Sequence, residues 1–369
     1  MPRSALILLA LCLGACAHNL PAADVPNSVT EAAQARVYVD MNGVMFPPGW
    51  RSPAVVGEHA VRSRHSIHAA VNGNETKLDR IRSAEDLHLA SIARLAGERS
   101  RVFVFLVGFN TSHATAVELR AMQDAIGLGP DDLAIEFYWD GHDAAVYADA
   151  ARIWFWGAGS SQVTGQRGLR RVLNAVGDKP VVLVSYSRGA SVVLSALSDP
   201  AYAPSFRAET EALAFLRPAG PAFFETPPLA AGGPIRVVML APAIGEPDFW
   251  APGSMGDAWA FRVFPERVAS IRYSINPRDP VLTKGFTGLA RHFNATDLGA
   301  GRSAGRDLDC HYRILQGYEV VGDIGHGVGS YIGDRSFTQM LRDSGVGAAT
   351  AAPVVRRPDC AETAPPDHR

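Results

Sequence analysis

A serine, an aspartate and a histidine stand in that order at positions 187, 279 and 326, each among small or turn-forming neighbours. Ser187 lies in SYSRG (185–189), between the apolar run VVLVS (181–185) and the small-residue stretch ASVVLSAL (190–197). A strand, a tight turn and a helix in that succession make a nucleophile elbow, here S-x-S-x-G where G-x-S-x-G is usual. Such a turn lifts the hydroxyl clear of the sheet and aims helix N–H groups at a developing negative charge. Small residues two before and two after the serine let the strand end and helix start approach; Ser185 is slightly bulkier than glycine, and Gly189 fits. On its own the stretch also admits an ordinary strand–loop–helix with a polar turn, and the rest of the chain decides between them.

An acyl-transfer serine needs a base, and an acid to orient that base. Asp279 sits in NPRDP (276–280), bracketed by prolines, directly after the run SIRYSI (270–275). His326 sits in the glycine-rich GDIGHGVG (322–329), after the last candidate strand. Singly, these are a turn aspartate and a loop histidine. Together, at successive strand ends and in the order Ser, acid, His, they spell a triad of Ser187, His326 and Asp279. Asp323 is the substitute acid if Asp279 points away. The oxyanion donors expected are the backbone N–H groups of Phe109, in VGFN (107–110), and Arg188. The Arg188 side chain is expected to pair with a surface acid rather than to select anionic substrates. His142, in WDGHDAA, reads as a loop histidine rather than a pocket residue.

These residues need a frame. VFVFLV (102–107), LAIEFYW (133–139), VVLVS (181–185), VVML (237–240), SIRYSI (270–275) and YRILQGYEVV (312–321) read as strands, with RVYVD (36–40) before them. Continuous apolar runs suit parallel strands covered on both faces. Helices are expected over 113–125, 144–156, 164–176, the stretch after the elbow, and 335–343. This alternation predicts an α/β fold, a mostly parallel sheet with helices on both faces and right-handed crossovers. Residues 41–82 read as loop-rich. A helix is expected from a cap at Ser83, with Asp86 three residues on, Leu87, Ala90, Ile92 and Leu95 facing the sheet, and Gly97 closing it. Residues 199–235, which carry Phe215, Leu216, Phe223 and Phe224 among several prolines, form either a lid or acyl-binding wall, or a packed connection with no role.

Composition narrows the classes. The 369 residues are 47% hydrophobic and 20% charged, with a net charge of −2, so a sizeable core is available and no nucleic-acid footprint is present. There is no Walker loop and no G-x-G-x-x-G after a strand. His59, His65 and His68 lack an acid or cysteine to complete a ligand set and read as a solvated polar stretch; no metal and no cofactor is expected. Arg3 and the short apolar run ALILLALCL (5–13) read as an export signal, and LGAC (13–16) as a lipobox. Cleavage before Cys16 then leaves a lipidated cysteine, residues 1–15 as signal peptide and 16–35 as a polar tether. The alternative is a plain secretory signal cut near Ala15 or Ala17. Ala17 after the cysteine favours the outer membrane, facing the periplasm. Cys310 and Cys360 remain, either as a disulfide in an oxidising compartment or as two free thiols. The expected layout is an N-terminal extension over 36–99, a core over 100–344 and a tail over 345–369.

VGFN (107–110), FYWDG (137–141), the elbow and GHGVGSY (325–331) together resemble the α/β-hydrolase superfamily, closest to a bacterial serine-hydrolase-like branch. The resemblance spans about residues 100–343. It implies a hydrolase core and the triad Ser187, His326 and Asp279. Three positions depart from its pattern: Val107 where histidine is usual, Ser185 for the first elbow glycine, and Ala243 where aspartate is frequent. The expected activity is hydrolysis of a carboxylic ester, thioester or amide on a small or lipid-like acyl substrate, with the membrane as partner through the lipid anchor. The rival is a catalytically silent hydrolase-fold lipoprotein acting as a binding or envelope-assembly module.

Overall fold

The structure is a computed structural model that describes residues 21, 29–30, 34–56, 67, 74–110, 117–141, 160–199, 227–249, 261–283, 296–301 and 308–346. Eight strands form one sheet: β1 (Val29–Thr30), β2 (Gln34–Tyr38), β3 (Arg101–Leu106), β4 (Asp132–Tyr138), β5 (Val181–Tyr186), β6 (Ile235–Leu240), β7 (Val268–Ile275) and β8 (Leu315–Glu319). Their spatial order is β1-β2-β4-β3-β5-β6-β7-β8. Strands β2 to β8 run parallel, and β1 is antiparallel to β2 at one edge. The expected α/β class with a mostly parallel sheet is therefore what the chain forms.

Alternation along the strands divides the apolar side chains between two cores. Val102, Val104 and Leu106 of β3 join Val181 and Leu183 of β5 on one face, where they meet Ile92 and Leu95, Val172 and Leu173, and Ala190 to Leu194 of three helices. Phe103, Phe105, Val182 and Val184 face the other way, onto Leu119, Met122, Tyr331, Phe337 and Met340. Burial of both faces is the reason these strands read as unbroken apolar runs.

The helices that matter for the site are α1 (Glu75–Gly97), α2 (Val117–Ile126), α3 (Arg170–Val176), α4 (Gly189–Leu197), α5 (Asp297–Ala300), α6 (Val328–Ile332) and α7 (Arg335–Asp343). A π-helical stretch, Thr164–Leu169, leads into α3. There a Cβ on Gly165 would fall 2.2 Å from the Val192 carbonyl, so glycine lets this segment press onto α4. Arg170, fully buried, donates to the Ala196, Ser195 and Ser198 carbonyls and closes the C-terminus of α4 with a positive charge, which suits the helix dipole.

Several expectations need correction. Helix α1 begins at Glu75, capped by the Asn74 side chain, which accepts from the Lys77 N–H at 3.1 Å. Ser83 is mid-helix, and its hydroxyl donates back to the Asp79 carbonyl instead of capping. Residues 75–82 are therefore helix, not loop. The buried face is Leu78, Ile81, Glu85, Ile92, Leu95 and Ala96, while Leu87 is 71% exposed and Ala90 is exposed. Strand β8 is half the length of the run at 312–321, because residues 312–314 form a turn before it, closed by the Leu315 N–H to the Tyr312 carbonyl, and the strand ends at Glu319. The helices over 164–176 and 335–343 lie where expected, and α2 covers the described part of the one expected over 113–125, residues 113–116 lying outside the described residues. The expected helix over 144–156, the signal, lipobox and Cys16, His59, His65, His68, His142, residues 200–226 of the insertion, and the tail from 347 with Cys360 lie outside the described residues. Cys310 is disulfide-bonded.

Candidate active site

The sheet supplies a crevice by its connectivity. From β3 the chain moves to β4 on one side, and from β5 to β6 on the other, although β3 and β5 are neighbours. Loops leaving the carboxyl ends of β3 and β5 therefore diverge, and the gap between them is where open parallel sheets place their sites. Ser187 follows β5 directly, and the 107–110 loop follows β3.

Ser187 has φ 52°, in the left-handed region. Its N–H donates to the Leu240 carbonyl at 2.8 Å, and its carbonyl accepts from the Ala243 N–H at 3.2 Å. These bonds to the end of β6 hold the strained turn. A Cβ on Gly189 would sit 2.9 Å from the Val107 carbonyl, so glycine is required where α4 crosses the end of β3. Ser185, two before, is fully buried between Leu106 and Met239 on the flanking strands, and its hydroxyl makes no hydrogen bond there.

The three sequence-predicted residues meet. His326 Nε2 lies 3.0 Å from Ser187 Oγ, and His326 Nδ1 lies 2.8 Å from Asp279 Oδ2. Asp279, fully buried, also accepts from the Tyr331 hydroxyl on Oδ2 at 2.6 Å. Its Oδ1 accepts from the Val281 and Leu282 N–H groups at 2.8 and 3.1 Å. Burial alone would raise the Asp279 carboxyl. The hydrogen bond and charge of His326, the Tyr331 hydroxyl and the Leu282 N–H outweigh it, and the carboxyl is held below its ordinary range. Asp323, the substitute acid, is instead exposed and 3.7 Å from Arg278.

The histidine loop is tied down at several points. The Tyr186 hydroxyl donates to the His326 carbonyl, and the two rings lie 5.2 Å apart. Asn276 Nδ2 donates to the Ile324 carbonyl at 3.0 Å. Asp334 Oδ2 accepts from the Val321 and Gly322 N–H groups. Burial and the charge of Asp279 raise the Tyr186 and Tyr331 phenols well above their ordinary values, so both stay protonated donors.

On the opposite side, Gly108 packs against the elbow. A Cβ there would fall 2.7 Å from Ser187 Cβ and 3.0 Å from Arg188 N. Trp139 Nε1 donates to the Val107 carbonyl at 2.6 Å, and Asn110, at φ 56°, donates to the Gly141 carbonyl at 3.3 Å. The Val107 side chain is buried in the apolar cluster on one face of the sheet. The main chain of Gly108, just before Phe109, thus borders Ser187 from the β3 side, and Arg188 follows the serine directly in the elbow.

Arg188 corrects one expectation. Its side chain is 2% exposed and pairs with Asp248, which is itself buried, at 3.4 Å, not with a surface acid. It also donates to the Ala243 carbonyl at 2.8 Å, while Asp248 Oδ2 accepts from the Gly245 N–H at 2.9 Å. This pair fixes the 241–248 loop beside the elbow. Tyr331, Trp139, Tyr186 and Asp248 escaped the sequence reading, since their partners are 32 or more residues away along the chain. Tyr331 in GHGVGSY and Trp139 in FYWDG did lie inside motifs already singled out.

Among the described residues no group of three His, Cys, Asp or Glu side chains could hold a metal ion, and no helix is long and apolar enough to cross a membrane. No known protein-family model matches this chain, and no curated protein matches it in sequence.

Proposed function

We propose that this chain is a serine hydrolase of the α/β-hydrolase type, acting on a carboxylic ester, thioester or amide. The observation that supports it is the continuous hydrogen-bonded line from Ser187 Oγ through His326 to Asp279. The strand order, with the serine after β5, the acid after β7 and the histidine after β8, is consistent with that superfamily.

In this reading His326 Nε2 takes the proton as Ser187 Oγ attacks the carbonyl carbon. Asp279, ionised, holds Nδ1–H and stabilises the imidazolium that forms. The Phe109 and Arg188 N–H groups receive the oxyanion. Collapse of the tetrahedral intermediate expels the leaving group, which takes the proton from His326 and leaves an acyl-Ser187. Water, activated by the same imidazole, then releases the acid and restores the serine. Export and lipid attachment at Cys16, to an outer membrane facing the periplasm, belong to the same proposal and rest on residues 1–17.

A fluorophosphonate probe should label the wild-type protein and leave Ser187→Ala unlabelled, with turnover of short p-nitrophenyl esters lost in the same variant. Folded wild-type protein that neither takes the probe nor turns over such esters would overturn the reading, and leave a silent binding module.

A further inference from the structure

Asp279 receives two donors on one oxygen. His326 Nδ1 and the Tyr331 hydroxyl both reach Oδ2, at 2.8 and 2.6 Å, while two backbone N–H groups hold Oδ1. Resting on the hydrolase reading above, we propose that Tyr331 is a positioning residue: it fixes the Asp279 carboxylate for His326 and limits how strongly that carboxylate holds the imidazolium.

The geometry supports this in three ways. Tyr331 opens the second half of the segment that carries the base, five residues after His326, so both ends of that segment converge on one oxygen. Asp279 and Tyr331 are both fully buried, so bulk solvent does not reach the carboxylate oxygen that the hydroxyl holds. The phenol remains protonated and donates across the working pH range, because burial and the neighbouring carboxylate both oppose its ionisation. A hydrogen bond donated to a carboxylate draws off part of its charge, leaving less to stabilise the imidazolium.

Tyr331→Phe keeps the ring and removes only the donor. Loss of position should lower kcat about tenfold with KM changed less than about twofold, because the group acts in the chemical step and not in binding. The acidic limb of the kcat/KM profile should move to higher pH, since the carboxylate, with one donor fewer, holds the imidazolium proton longer. A structural role alone would lower the melting temperature and leave that limb in place. In an Asp279→Asn background the same Tyr331→Phe change should alter the fluorophosphonate labelling rate less than about twofold, since its target is gone. A fluorinated tyrosine at 331, a stronger donor of nearly the same volume, should move the limb to lower pH, and serves also if the phenylalanine variant fails to fold. An active wild type whose pH profile is unchanged in both Tyr331 variants would overturn the positioning role alone. A wild type that no probe labels would overturn the hydrolase reading and this inference with it.

Discussion

Gly108→Ala is the sharpest perturbation of the crevice. The added methyl would stand 2.7 Å from Ser187 Cβ, 3.1 Å from Ser187 Oγ and 3.0 Å from Arg188 N. Carbon atoms settle at about 3.5–4.0 Å, so the 107–109 loop and the elbow must separate by roughly 1 Å. Neither side yields easily. The loop is held by the Trp139 and Gly141 hydrogen bonds, and the elbow by Leu240 and Ala243. On the proposed hydrolase reading, a shift of that size either draws Phe109 N from the oxyanion or moves Ser187 Oγ off His326, now 3.0 Å away. Losing one oxyanion donor costs about 2.7–4 kcal/mol of barrier, so kcat should fall about a hundredfold or more. Overpacking of this kind costs about 1–3 kcal/mol of stability, less than a domain of this size holds, so the variant should still fold. The assay is steady-state hydrolysis of p-nitrophenyl butyrate beside a thermal melt. Gly97→Ala is the control: nothing lies within 4 Å of its added methyl. A folded Gly108→Ala protein with kcat within about threefold of wild type would refute this account of the loop.

Two further outcomes can be read from stability. Arg188→Met should destabilise by about 3–5 kcal/mol, because Asp248 is left buried and unpaired, and Arg188→Met with Asp248→Leu should recover at least half of that loss in a thermal melt. Equal melting of the single and double variants would show that the ion pair is not the cause. His88, against Met45, Phe46 and two prolines, is pushed by burial from 6.5 down to about 4. The folded state keeps it neutral, so its contribution is complete above pH 6.5 and is lost as pH falls towards 4, a loss on the order of 3 kcal/mol at about 1.4 kcal/mol per pH unit. His88→Gln should flatten the wild-type stability decline over that window in urea titrations; an unchanged slope would place the decline elsewhere.

What could be read in the sequence depended on the range of the interaction. Strands β3, β4, β5 and β6 were legible because both their faces are buried, which writes burial into nearly every position. The triad was legible because each member follows a strand in a loop whose glycines or prolines are local signals. The start of α1 was misplaced because Ser83 and Asp86 imitate a capping box inside a helix that Asn74 had already begun. Leu87 was assigned to the core because it is apolar, yet the stripe that packs runs through Leu78, Ile81 and Glu85. Buried Glu85 shows why polarity misled: it accepts from the Met45 N–H and pairs with Arg171, two partners remote in sequence. Val107 looked like a missing histidine, but the loop is held through its carbonyl by Trp139, a contact no local pattern records.

The backbone itself marks the crevice apart from any chemistry. Among the described residues, Asn110, Ser187 and Ala241 are the non-glycine positions with positive φ, at 56°, 52° and 46°. They follow the carboxyl ends of β3, β5 and β6, three neighbouring strands. Each such conformation costs about 1–3 kcal/mol, and elsewhere in the described chain glycine occupies the left-handed region. Specific bonds oppose the strain at all three: Asn110 to the Gly141 carbonyl, Ser187 to the Leu240 carbonyl, and the Ala241 N–H to Ser274 Oγ at 2.8 Å. Relaxing any one of these turns would carry its loop back towards the direction of its strand. Ser187 would then leave His326, and the 107–110 loop would leave the elbow. The strain is thus borne by a sheet whose interior is closed on both faces, and it is spent where three loops must bend sharply to share one crevice.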